Sequence, residues 1–171
     1  GLKWTAAGGW PFDIANVRTV STTDANANHA TVTAAIAAAS VGDLILLDFE
    51  SSAEAVTVNK AVTLIGLARS GTIFTSTMTV TAAATLVNIK VSKTGVSAAV
   101  GFAITASAVV ELHNCEAVTN GSVTSRAIEV ISVGGTIRVY GGYYEAQGAG
   151  TSLEVFTSGG ASVTLLNTPV L

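Results

Sequence analysis

The side chains able to do chemistry are few and thinly spread. Glu129 and Glu154 lie 25 residues apart in similar apolar settings. Paired carboxylates carry the acid–base work of glycoside hydrolysis. If both stood one strand apart on a sheet, their backbones would be separated by about 5 Å, which is not a cleft. Their expected role is that of solvated surface residues, or of a cation bridge between subunits. Glu111 and Arg138 fall at matching outward positions of two successive segments and are expected to form a surface ion pair, worth at most about 1 kcal/mol. His113 has no cysteine or carboxylate at metal-ligand spacing, and His29 belongs to the start of a helix. Cys115 is the only cysteine, so no internal disulfide forms and a small core residue is expected. No Gly-X-Ser-X-Gly and no phosphate loop occurs. The expectation is a chain with no catalytic residue, no cofactor and no metal.

The elements that position these residues repeat. Five segments share one alternation of apolar and variable residues closed by Gly or Asn. They are Val62-Thr63-Leu64-Ile65-Gly66, Ala84-Thr85-Leu86-Val87-Asn88, Val110-Glu111-Leu112-His113-Asn114, Ile137-Arg138-Val139-Tyr140-Gly141 and Val163-Thr164-Leu165-Leu166-Asn167. A second short strand precedes each: Val56–Val58, Met78–Val80, Phe102–Ile104, Ile128–Val130 and Leu153–Val155. Period-two alternation buries one face of each strand. Gly or Asn at the strand end suits a left-handed corner. One such unit cannot bury its own apolar face, but units stacked at about 4.8 Å share a continuous core. The spacing therefore predicts an all-β fold, a single right-handed parallel β-helix over residues 29–171.

A capping helix is predicted over 31–39, with Val32, Ala35, Ile36 and Ala39 on one face, Asn28 as its N-cap and Gly42 as its stop. Leu44-Ile45-Leu46-Leu47 follows as a buried strand. Residues 1–28, with Trp4, Trp10, Pro11 and Phe12, fall outside the repeat and read as an N-terminal arm, packed on the helix or docked on a neighbour.

The run Ala30–Ala39 with Gly42-Asp43-Leu44-Ile45 resembles the opening of pectin-lyase-like parallel β-helix proteins. So does Val56–Gly66 followed by Gly71-Thr72-Ile73. The resemblance covers residues 29 to 171 and implies the fold more specifically than an activity, since enzymes, adhesins and phage fibres share it. Where relatives carry Pro-Gly-X-Tyr after the first strand, this chain has Asp48-Phe49-Glu50-Ser51. Family methylesterases use two Asp, Gln and an Arg; here the only Gln is Gln147 and no Asp follows Asp48. Family lyases bind Ca²⁺ through clustered Asp beside a basic residue, and the later repeats offer only Lys90, Lys93, Arg126 and Arg138. No catalytic residue carries over.

Composition sharpens the functional expectation. Charged residues make up 11% of the 171 residues and the net charge is −3, against roughly 25% charged in ordinary soluble domains. There is no basic run for nucleic acid and no apolar run long enough for a membrane span. The outward position after the second core residue reads Ile65, Val87, His113, Tyr140, Leu166. On a solvated coil it should be polar. Either the turn bends inward there and gives a second buried face, or the column is a contact stripe for another subunit. The low charge favours the stripe, which would hide on the order of 200–300 Å² of apolar surface, worth roughly 5–8 kcal/mol before association costs. A neighbouring column ends in Ile131 and Phe156. The chain stops at Leu171, after Thr168-Pro169-Val170, part-way through a coil, so cover by another polypeptide or a longer natural chain is expected.

A flat threonine array for ice binding is ruled against by Glu111 and Arg138, which interrupt Thr63, Thr85 and Thr164. Tyr140, Tyr143 and Tyr144 form a candidate glycan-stacking cluster. The expected function is a non-enzymatic structural module of a virion or an extracellular assembly: a capsid decoration, head fibre or tail-fibre segment. Homo-oligomers or other structural subunits are its expected partners. The alternatives are a carbohydrate-binding or carbohydrate-active coil, and a secreted adhesin or surface-layer fragment.

Overall fold

The computed structural model describes residues 16–21, 24, 27–68, 72–132, 134–157 and 160–166, with side chains described at all of these except 96, 97, 132 and 149–157. In chain order the elements are β1 (Val17–Ser21), α1 (Val32–Ala38), β2 (Leu44–Asp48), β3 (Ser51–Ser52), β4 (Thr57–Val58) and β5 (Val62–Gly66). They continue with β6 (Thr72–Phe74), β7 (Met78–Val80), β8 (Ala84–Val87), β9 (Ile89–Ile104) and β10 (Val109–His113). The last are β11 (Glu116–Ser132), β12 (Thr136–Tyr140), β13 (Tyr143–Thr157) and β14 (Ser162–Leu166).

Every strand pairing is parallel and joins equivalent positions of successive repeats. One seven-stranded sheet runs β1-β2-β5-β8-β10-β12-β14. Its register aligns Val62, Ala84, Val110, Ile137 and Val163, as the repeat predicts. The second sheet runs β13-β11-β9-β6-β3, with β7 beside β9 and β4 beside β7. Here Met78, Phe102, Ile128 and Leu153 are aligned. The chain is a parallel β-solenoid of about five turns.

Stacking explains the core. Leu64, Leu86, Leu112 and Val139 form one column, each fully buried, because each is flanked by its equivalents above and below. Leu165 continues the column but is 37% exposed. It lies on β14, which has one described neighbour, β12, so one flank of the side chain is open. Val58, Val80, Ile104 and Val130 make a second buried column on the other sheet.

The corners follow the expected chemistry, with one refinement. Asn88 and Asn114 both take left-handed backbone, at φ 54° and 50°. The Asn88 Nδ2 donates to the carbonyls of Gly66 (2.8 Å) and Ala68 (3.1 Å) of the turn before. Gly66 has no such φ. It is glycine because a Cβ would collide with the Asn88 carbonyl.

At the N-terminal end the solenoid is closed by α1 and β1. Val32, Ala35, Ile36 and Ala39 are buried on the core, as the helical periodicity predicts. The N-cap needs correction. Thr31, not Asn28, caps the helix, its Oγ1 accepting the Ala34 N–H at 3.2 Å. Asn28 is drawn away by Thr19, whose backbone N–H and Oγ1 both donate to its Oδ1. Two side chains from the following turn clamp the helix. The Glu54 carboxylate accepts the N–H groups of Val32 and Thr33 at 3.0 and 2.8 Å, and Lys60 Nζ donates to the carbonyls of Ala37 and Ala39 at 2.6 and 2.8 Å. Both ends thus gain a partner whose charge opposes the helix dipole.

β1 lies within the segment read as an arm, and it pairs with β2 as an edge strand of the long sheet. Its Val20 is buried, and its Arg18 donates to Asp43, a 2% exposed carboxylate, at 2.9 Å. Asp43 also accepts the Ser40 N–H at 2.9 Å. That bond, with the Arg18 guanidinium, holds its carboxyl below the usual range.

A Glu54→Ala variant is expected to lose about 1–2 kcal/mol of stability, the usual cost of a helix N-terminal cap. Glu50→Ala, at an exposed position nearby, should stay within about 0.5 kcal/mol. Urea unfolding followed by circular dichroism measures both, and equal stabilities would refute the clamp.

Candidate interaction surface

Alternation on the long sheet points every second side chain outward. Pairing of Leu46 with Ile65, Ile65 with Val87, Val87 with His113, His113 with Tyr140 and Tyr140 with Leu166 makes one unbroken outward column. The stripe residues are thereby brought together. Ile65, Val87, His113 and Tyr140 are half-buried by their neighbours, and Leu166 is 46% exposed. The strands remain paired through this position, so no inward bend creates a second buried face.

Leu46 is an addition to the stripe. The run Leu44–Leu47 reads as uniformly buried in sequence, yet only Ile45 and Leu47 face the core. The signal lay in the alternation of the neighbouring repeats, projected back by one rung.

The second outward column of the same face holds Leu44, Thr63, Thr85, Glu111, Arg138 and Thr164. Arg138 donates to Glu111 Oε1 at 3.1 Å, and Glu111 Oε2 lies 3.4 Å from His113 Nε2. The Arg138 guanidinium, with His113 beside it, holds the Glu111 carboxyl below its ordinary value. The His113 and Tyr140 rings stack at 4.4 Å between centroids and 13° between planes. Sequence spacing anticipated the Glu111–Arg138 pair but missed the carboxylate two residues from His113 on the same face. Beside the column lies a shallow depression of about 350 Å³, lined by Gly42, Ala61, Thr63, Ala83, Thr85, Val109 and Glu111 among others. The face is a ridge of large side chains next to a trough of small ones.

The tyrosine cluster does not survive as a unit. Tyr144 is fully buried, its ring 6.4 Å from that of Phe102, so it presents no stacking surface. Burial holds its hydroxyl far above the ordinary tyrosine range. Gly141 and Gly142 turn the chain between Tyr140 on the long sheet and Tyr143 on the second sheet. Tyr143 donates to Glu145 Oε2 at 2.8 Å, and Gln147 donates to Glu145 Oε1 at 3.1 Å. This hydrogen bond raises the Tyr143 pKa.

The remaining chemical residues are occupied structurally. Cys115 is buried, its thiol directed at the Leu86 carbonyl at 3.3 Å, and desolvation pushes its pKa up to about 12, so the nucleophilic thiolate is suppressed. Glu129 pairs with Arg126 at 3.5 Å. Its backbone lies beside that of Glu154, whose side chain is outside the described set, as is that of Phe156. Ile131 is 49% exposed. His29 makes a bridge to Val20 at the start of the coil. Trp4, Trp10, Pro11, Phe12 and the end from Pro169 to Leu171 lie outside the described residues. Among the described residues, no three His, Cys, Asp or Glu side chains converge on one point, and no helix is long and apolar enough to cross a membrane.

These features define a parallel β-solenoid whose long sheet carries an outward apolar and aromatic ridge. No protein-family model, curated protein or solved structure matches the chain.

Proposed function

We propose that the chain is a non-enzymatic structural module, akin to pectin-lyase-like coils, that joins an assembly through the outward face of its long sheet. The setting that best fits is a virion surface: a capsid decoration, head fibre or tail-fibre segment. The observation that carries this reading is the ridge itself. Leu46, Ile65, Val87, the stacked His113–Tyr140 pair and Leu166 run without interruption over six rungs. A charge-poor chain with such a ridge is suited to being covered, since contiguous apolar surface left wet favours precipitation. Of the side chains that sequence offered for chemistry, Glu129 and Glu111 are tied into ion pairs and Cys115 is buried. The experiment is immunogold labelling of source particles, together with incorporation of a Val87→Lys copy. Labelled particles that exclude the variant are expected. Particles without label, or turnover of an acidic polysaccharide that vanishes in Glu129→Gln, would overturn the reading.

Glycan binding is the second reading, and one observation favours it. On β13 the Tyr143 ring is flanked by a carboxylate pre-oriented by two hydrogen bonds, with Asn120 beside Gln147 at 3.5 Å. Aromatic rings beside planar polar groups suit sugar rings, and binding on a glycan array lost in Tyr143→Ala would support it.

A further inference from the structure

We propose that the ridged sheet face pairs with a second copy of this chain, the two solenoids side by side and parallel, related by a twofold axis along the coil direction. This rests on the contact-face reading above and names its occupant. A twofold lying in the interface between the two outward columns sets each ridge residue over the second-column residue of the same rung in the other copy. Val87 then faces Thr85, and Ile65 faces Thr63, so large side chains enter the trough formed by Thr63, Thr85, Ala61 and Ala83.

The charges agree with the shape. Glu111 and Arg138 are the charged side chains of the two outward columns, one of each sign. In this pairing Glu111 meets His113 of the other copy. Arg138 meets the outer, hydroxyl edge of Tyr140, whose ring faces lie along the coil against His113, and a guanidinium can donate to that oxygen. No like charges are opposed. An isologous contact must be self-complementary in this way, residue i on j and j on i. The size is also adequate. Six rungs about 4.8 Å apart and five residues wide give on the order of 500 Å² per copy, about 1,000 Å² in total, at the threshold for a specific interface. A reversible, micromolar dimer is the expected form.

The test is sedimentation velocity of the full chain beside Val87→Lys, and mild oxidation of mixed Thr85→Cys and Val87→Cys variants, each adding one surface cysteine to the buried Cys115. Val87 is outward, so circular dichroism should be unchanged in its variants. The expected result is a wild-type dimer, dissociation at least about tenfold easier in Val87→Lys, and faster cross-linking in the mixture than in either variant alone. A wild-type monomer at millimolar concentration would overturn pairing with a second copy, while exclusion of Val87→Lys from particles would still uphold the contact face. A dimer indifferent to Val87→Lys would overturn pairing through this face. Faster linking of Val87→Cys to itself would overturn the offset of ridge into trough.

Discussion

A Leu112→Ala variant is expected to lose about 3–5 kcal/mol of unfolding free energy, the upper part of the range for buried leucine truncations. Leu112 is fully buried in the middle of the solenoid, with Leu86 on one side and Val139 on the other. The cost depends on how far the surroundings can collapse into the space left behind. Here they can collapse little, because the ladder hydrogen bonds fix the rung spacing and neither flanking strand can close in without breaking them. Leu165→Ala tests the same chemistry where one flank is open. At 37% exposure and with a neighbouring strand on one side, it should lose less than about 1.5 kcal/mol. Equilibrium urea unfolding of both variants decides the matter. Equal losses would mean that Leu112 is not locked between its equivalents.

That contrast follows from what a solenoid makes legible. In a globular fold the residues that touch are distant in sequence by irregular amounts, but here contact distance equals repeat length. The alternation at 62, 84, 110, 137 and 163 therefore specifies the strand register and the buried column. Legibility failed where the repeat gives no guide. Thr31 and Asn28 are both acceptable N-caps by residue type, and the choice turned on Thr19, a side chain on β1 that competes for Asn28. The segment holding β1 carries no Gly or Asn corner in the repeat's position, so its place in the long sheet left no periodic trace.

Tyr144 failed for a different reason. Residues adjacent on a strand face opposite sides, so Tyr143 and Tyr144 were never able to share a surface. Their alignment with Glu116 and Ala117 assigns the inner side to Tyr144, where Ala117 leaves room for its ring. The outward ridge was legible as a column. Its companion trough was not, because small residues at Ala61 and Ala83 signal a depression only once the sheet face is seen whole.

Gly142→Ala is expected to cost about 3–5 kcal/mol, combining left-handed backbone strain with a backbone collision. Gly142 adopts φ 90°, and a Cβ there would overlap the Cys115 carbonyl oxygen. That oxygen accepts the Tyr143 N–H at 3.2 Å, so the chain cannot retreat without giving up a bond between adjacent turns. The register explains the requirement. Gly142 stands one rung beyond Cys115 and two beyond Ile89, both buried, at a position where the turn tightens until no side chain fits. Its neighbour Gly141 separates strain from collision. At φ 65° a Cβ on Gly141 meets nothing within 4 Å, so Gly141→Ala should cost only about 1–2 kcal/mol. Gly141 also occupies the corner that Asn114 and Asn88 fill one and two turns earlier, each donating its N–H to the last carbonyl of the next strand. Gly141→Asn should therefore be close to neutral, because asparagine tolerates this backbone. Thermal and urea unfolding of the three variants should rank them Asn, then Ala at 141, then Ala at 142. A Gly142→Ala protein as stable as Gly141→Ala would show that the turn can open at Cys115.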